Sequence, residues 1–144
     1  MIGQIRFFVP GTPVTEGSTK YVGHRSGRPV LLHDNHAELK AWRDKISDVA
    51  ILYARQAGWA MPLDEPVCVA VTFRLPKPKR PAFTDEAATK PDLDKLQRAV
   101  GDALGKRVLR EDSRIVGWHA EKRYVDAQHP AGVDVTIIRQ GVPF

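Results

Sequence analysis

Asp92, Asp94 and Asp112 are the side chains best placed by type and spacing to do chemistry. The first two lie in Lys90-Pro91-Asp92-Leu93-Asp94-Lys95-Leu96, and the third in Glu111-Asp112-Ser113-Arg114-Ile115-Val116, just beyond one helix length. Carboxylate oxygens are the ligands Mg²⁺ prefers, and a site with few protein ligands leaves coordination positions for water and phosphate oxygens. An ion held in this way activates water and offsets charge developing on a phosphoryl group. The expectation is that the three carboxylates converge on one divalent metal.

Each aspartate also has a purely structural reading. Asp92 follows a proline and precedes an amphipathic run, as a helix N-cap does. Asp94 in the first turn is favoured by the helix dipole. The two readings are compatible, because an N-cap residue has left the helical path. Asp94, Arg98 and Asp102 are spaced four apart, which suits ion pairs on a solvent-facing stripe. The alternative for Arg98 is a guanidinium gripping a phosphate oxygen; Asp102 reads as structural. Asp112 is by default a surface turn residue, but a strand starting just after the second helix can bring it back beside that helix.

The elements that must hold these residues follow from periodicity. Residues 2–9 read as a strand with Ile5, Phe7 and Val9 on one face, ended by Pro10-Gly11-Thr12-Pro13. Tyr21-Val22 and Val30-Leu31-Leu32, around Gly27, suit a short hairpin or an irregular loop. From Asn35 to about Ala57 the period is helical, with Leu39, Trp42, Ile46, Val49 and Tyr53 as the stripe and Gly58 as a left-handed cap. Residues 66–75 alternate, placing Val67, Val69, Val71, Phe73 and Leu75 on one side. Leu75-Pro76-Lys77-Pro78-Lys79-Arg80-Pro81 is a loop, since proline cannot donate to a sheet ladder. A second helix is expected over 93–105, with Leu93, Leu96, Val100, Ala103 and Leu104 buried and Gly105 closing it. A strand over 114–125 presents Val116, Trp118, Ala120 and Tyr124, and a last strand carries Val133, Val135 and Ile137. The fold class is α/β (α+β): a single domain over residues 1–144, its two main helices on one face of a mixed sheet.

Composition sets the bounds. A chain of 144 residues with 42% hydrophobic and 27% charged residues buries one core. A formal charge of +5 favours an anionic partner. Cys68 is the only cysteine, which excludes an intrachain disulfide and a cysteine zinc site. No apolar run approaches membrane-spanning length and no signal peptide is visible, so no membrane partner and a cytoplasmic location are expected. His24, His33, His36, His119 and His129 read as surface residues. His33 and His36 have a spacing seen in zinc sites but lack further ligands at recognisable spacing. No serine or cysteine nucleophile signature and no glycine-rich phosphate loop is present.

At Lys90-Pro91-Asp92-Leu93-Asp94-Lys95-Leu96-Gln97-Arg98-Ala99-Val100-Gly101-Asp102-Ala103-Leu104 and at Glu111–Val116 the chain resembles the RusA family of Holliday junction resolvases. The family pattern is an Asp-Leu-Asp-Asn-Leu run, a basic residue, an Ala-Leu helix end, then an acidic pair before a short apolar strand. The outer parts, over about residues 2–139, fit more loosely. The resemblance implies that Asp92, Asp94 and Asp112 are metal-binding catalytic aspartates, with Mg²⁺ as cofactor and Mn²⁺ as a substitute. It sets Arg98 where the family has a catalytic lysine, and Lys95 where asparagine is usual. Arginine keeps the charge but cannot give up a proton, so it suits phosphate gripping and not acid catalysis. The implied substrate is four-way or branched DNA, cut by a homodimer. Arg74, Lys77, Lys79, Arg80 and Lys95, with Arg25 and Arg28 of the early loop, are the candidate phosphate contacts. A branched-DNA-binding protein of the same fold without cleavage is the alternative, as is a basic structural protein whose aspartates are caps and turns.

Overall fold

The structure is a computed structural model that describes residues 3–15, 20–25, 28–32 and 36–140, with residues 20–25 and 28–32 as backbone alone. Ile2, Gly27, His33 and Asn35, named above, lie outside the described residues, as do the side chains of His24, Arg25 and Arg28. The elements run β1 (Gln4–Pro10), β2 (Lys20–Arg25), β3 (Arg28–Leu32), α1 (His36–Gln56), β4 (Val67–Leu75), α2 (Leu93–Arg107), a 3-10 turn (Asp112–Arg114), β5 (Ile115–Tyr124) and β6 (Gly132–Arg139). β2 and β3 pair antiparallel, Tyr21 opposite Leu31, which is the hairpin of the two alternatives the sequence left open.

The main sheet has the order β1-β6-β4-β5. β1 and β4 each flank β6 antiparallel, while β4 and β5 run parallel. That parallel pair requires a crossover, and α2 supplies it. Period-two alternation sets the inward face: Ile5, Phe7 and Val9 from β1, Val67 to Leu75 at every second residue of β4, and Val133, Val135 and Ile137 from β6 are all buried. Both helices close over this face, with Leu39, Trp42, Ile46 and Ala50 of α1 and Leu96, Ala99, Val100, Ala103 and Leu104 of α2 in one core. The fold is therefore the single α+β arrangement expected. Among the described residues no helix is long and apolar enough to cross a membrane.

Three local expectations are corrected. The α1 stripe continues through Ala50, Ile51 and Ala54, while Tyr53 stays 38% exposed, its ring tilted against that of Phe7 with centroids 5.7 Å apart. At about 100° per residue Tyr53 lies one position round from Ala54, on the flank of the stripe that Ala50, Ile51 and Ala54 continue. Val116 does not face the core. The ladder pairs Val67 with Ile115 and Cys68 with Gly117, so Val116 is the extra residue of a bulge and is 64% exposed. Gly105 does not end α2, which continues to Arg107. A Cβ at Gly105 would lie 2.9 Å from the backbone nitrogen of Asp112, so glycine there permits close approach of the turn after the helix. Gly58 is the left-handed cap expected, with φ +77° and Trp59 N–H donating to the Ala54 carbonyl at 3.0 Å.

Candidate functional site

Helix α2 lies along β5, and the gap between them is the candidate site. Gly101 makes room for the Trp118 ring, whose Cζ2 would lie 3.4 Å from a Cβ there, and Gly105 for Asp112. The two glycines, four apart, thus line the helix face turned to β5. Along that face Asp94, Arg98 and Asp102 follow at the same spacing. They open into a groove of about 320 Å³, completed by Gln97, Asp112, Ile115 and Trp118. Three carboxylates stand against one guanidinium there, a local negative region on a basic chain.

What distinguishes these charges is what they lack. No described residue makes a side-chain hydrogen bond or ion pair with Asp94, Asp112 or Arg98. Glu111, beside Asp112, is engaged: Ser113 and Arg114 both bond its carboxylate, with Arg114 at 3.1 Å, and these contacts hold its pKa below the ordinary glutamate value. Asp102 is shared. It lines the groove and also pairs with Arg43 of α1 at 3.8 Å.

Asp92 stands at the N-cap position of α2, but its side chain makes no capping hydrogen bond. Its carboxylate lies 4.0 Å from the Lys95 ammonium, and it is not among the groove's lining residues. Asp112 packs at Gly105, eleven residues after Asp94, which at about 1.5 Å per residue is roughly 16 Å along the helix. Among the described residues no group of three or more His, Cys, Asp or Glu side chains is arranged to hold a metal ion. The structure therefore brings Asp94 and Asp112 into the lining of one groove and leaves Asp92 outside it. Mg²⁺ is commonly held by one or two carboxylates with water and substrate phosphate completing the shell. The donor chemistry fits such an open site and not a closed cage.

The basic candidates separate in the same way. Lys79 and Arg80 are exposed on the proline-rich loop. Lys77 is exposed there too, its ammonium 5.7 Å from the centre of the Tyr124 ring. Lys95 is the partner of Asp92. Arg74, by contrast, is only 15% exposed, donates to the Tyr124 carbonyl at 3.2 Å and lies 3.5 Å from Asp126. It fastens the ends of β4 and β5 together, because its alternation places it where β5 offers acceptors.

Lys122 was not singled out in the sequence. It sits on β5 in the alternating series Trp118, Ala120, Lys122, Tyr124, and its ammonium donates to the carbonyls of Thr89, at 2.5 Å, and Pro91, at 2.9 Å. It thereby ties the segment that leads into Asp92 to the sheet. A lysine in an otherwise apolar register was the signal available for it.

The family model described as Endodeoxyribonuclease RusA matches residues 10–138. No curated protein matches the chain. The chain belongs to the RusA endodeoxyribonuclease family.

Proposed function

We propose that this RusA-family chain is a Mg²⁺-dependent endonuclease that resolves four-way DNA junctions during recombination, acting as a homodimer that cuts two opposed strands. The observation that carries the reading is the groove lined by Asp94, Asp112 and Arg98, none of which has a side-chain partner among the described residues. A charge left unpaired at a surface groove is available to a ligand of opposite sign, and here both signs are offered together. A metal–phosphate pair presents the same two signs.

Asp94 and Asp112 would hold the metal, with Asp92 contributing from the N-cap position of α2. When bound, such an ion lowers the pKa of its water and polarises the phosphoryl oxygen. The rest is the work of the chain. Arg98 pairs with non-bridging oxygens of the scissile phosphate and stabilises the charge that develops on them. It keeps its proton throughout, so the leaving oxygen takes its proton from water. Lys77, Lys79 and Arg80 hold the neighbouring backbone phosphates and set the strand's register without reading its sequence. Trp118 and Ile115 form the apolar floor that strengthens these charge interactions.

The test is nicking of a synthetic four-way junction, with and without Mg²⁺, alongside a linear duplex of the same sequence. Metal-dependent cuts confined to the junction are expected. A second reading, junction binding without cleavage, is favoured by one specific observation: the carboxylates do not cluster around a single point. Tight junction binding with no nicking in either Mg²⁺ or Mn²⁺ would select it.

A further inference from the structure

A second recess in the described structure has only cations among its charged lining residues, and it is not the candidate site. It lies where α1 and α2 both end, over a floor that includes buried Trp59 and Leu109, and has a volume of about 580 Å³. Arg55, Lys106, Arg107 and Arg110 line it, and no carboxylate does. A cation in the last turn of each helix is expected from the helix dipole. Arg110 has no such explanation, because it lies beyond α2, in the stretch whose backbone bonds Leu63. Arg55 has no ion pair with any described residue. The other three cations have acids outside the recess: Asp44 for Lys106, Asp48 for Arg107, and Asp64, 3.9 Å away, for Arg110. Such exposed pairs contribute little, and a phosphate offers the same cations charge-assisted hydrogen bonds.

The recess also connects to the groove. Arg110-Glu111-Asp112 runs directly from one to the other. We infer that this recess is a second phosphate-binding surface, which takes the backbone of the DNA arm flanking the phosphate held at Asp94 and Asp112. The inference rests on the nuclease reading and extends it: the chain grips DNA at both ends of α2, at the proline-rich loop and at the recess.

The double variant Arg55→Gln/Arg110→Gln tests it, with junction affinity measured across a salt series in EDTA so that no cleavage intervenes. Each lost phosphate contact lowers the slope of log affinity against log salt by about 0.9, so a decrease of roughly 2 is expected. Nicking at saturating junction and Mg²⁺ stays unchanged. Arg55→Lys/Arg110→Lys, which keeps the charges, restores the slope. Arg6→Gln/Arg123→Gln, with the same change in net charge elsewhere, leaves the slope near that of the wild type. If the control pair lowers the slope as much as the recess pair, only net charge is acting and the proposal is overturned. It is equally overturned if the recess pair abolishes binding of inorganic triphosphate by calorimetry while the junction slope stays intact, since the recess is then a small-anion site. A wild-type protein that binds and nicks junctions, with an unaltered recess variant, removes this inference alone. A wild type that binds no junction removes the nuclease reading with it.

Discussion

The two sides of α2 handle charge in opposite ways. On the side facing α1, acids and bases meet: Asp44 accepts from Lys40 and Lys106, both at 2.7 Å, Asp48 pairs with Arg107, and Asp102 lies against Arg43. On the side facing β5, Asp94, Arg98 and Asp112 have no such partners among the described residues. Both sides carry similar residues at similar spacing, so residue type does not separate a seam from a site. The neighbouring element does. α1 presents complementary side chains at each step, whereas β5 presents Trp118 and Ile115, which cannot neutralise anything. Charges that hold the helices together are already satisfied; those in the groove remain available to a ligand.

The substitution with the largest expected effect attacks the open side. Asp94→Asn keeps the shape of the side chain but removes the charge that attracts a metal, so junction nicking should fall by at least about 10²-fold, the scale on which charge-stabilising groups act. Junction binding should persist or tighten. If Asp94 were only a dipole partner, stability would change by about 1 kcal/mol or less and nicking would survive; a near-normal nicking rate would remove Asp94 from the site.

Gly105→Ala sharpens the comparison from the backbone. Alanine is normally favoured over glycine inside a helix by roughly 1 kcal/mol, but here its methyl meets the Asp112 backbone at 2.9 Å. The expected result is a loss of about 1–3 kcal/mol, as for other overpacked sites, together with reduced nicking as the turn is displaced. A rise in the thermal midpoint would mean that the turn yields without resistance.

Asp102→Asn probes the residue that belongs to both sides. Losing the Arg43 pair should cost about 1 kcal/mol or less, and nicking should fall far less than in Asp94→Asn. An equal fall would assign Asp102 to the groove's chemistry and not to the seam.

The smallest effect concerns the seam and pH. Lys106 and Lys40 bond Asp44 and lower its pKa from 3.8 to about 2. A carboxyl depressed in the folded state adds stability above its unfolded pKa, and that contribution is lost as pH falls through the folded value. The difference in thermal midpoint between wild type and Asp44→Asn should therefore be constant at neutral pH. It should close as the pH drops from 3.8 to about 2. A difference that does not change over that window would show that the seam's ion pairs are idle.

How much of this was readable in the sequence depends on how local each signal is. The alternation of Val67 to Leu75 and the stripe through Leu96, Val100 and Leu104 are properties of neighbouring residues, and the sheet and helices follow from them. Gly105 and Val116 could not be placed in this way. A glycine near a helix end serves equally as a cap or as a point of close approach, and only the returning turn decides. Val116 follows period two perfectly; its exposure comes from the register of β4, a different strand. Arg74 looks like its basic neighbours until the Tyr124 carbonyl is brought beside it. Asp92 and Asp94 are two apart in sequence, yet Asp92 takes the cap position outside the groove lining and Asp94 falls within it. Asp112's neighbours depend on α2 as a rigid spacer, which the sequence supplies as a length but not as a direction.

The tether at Lys122 has a consequence beyond anchoring. Two carbonyls satisfy the ammonium's hydrogen bonds, but a dipole cannot neutralise a charge, and no carboxylate of a described residue pairs with Lys122. A full positive charge is thus built in beneath the segment that enters Asp92. On the nuclease reading it would serve as a fixed counterion at the entry to Asp92, present whether or not a cation is bound. On that reading the charge would hold down cation affinity near Asp92 and favour an ion that enters together with a phosphate over one that binds first and stays.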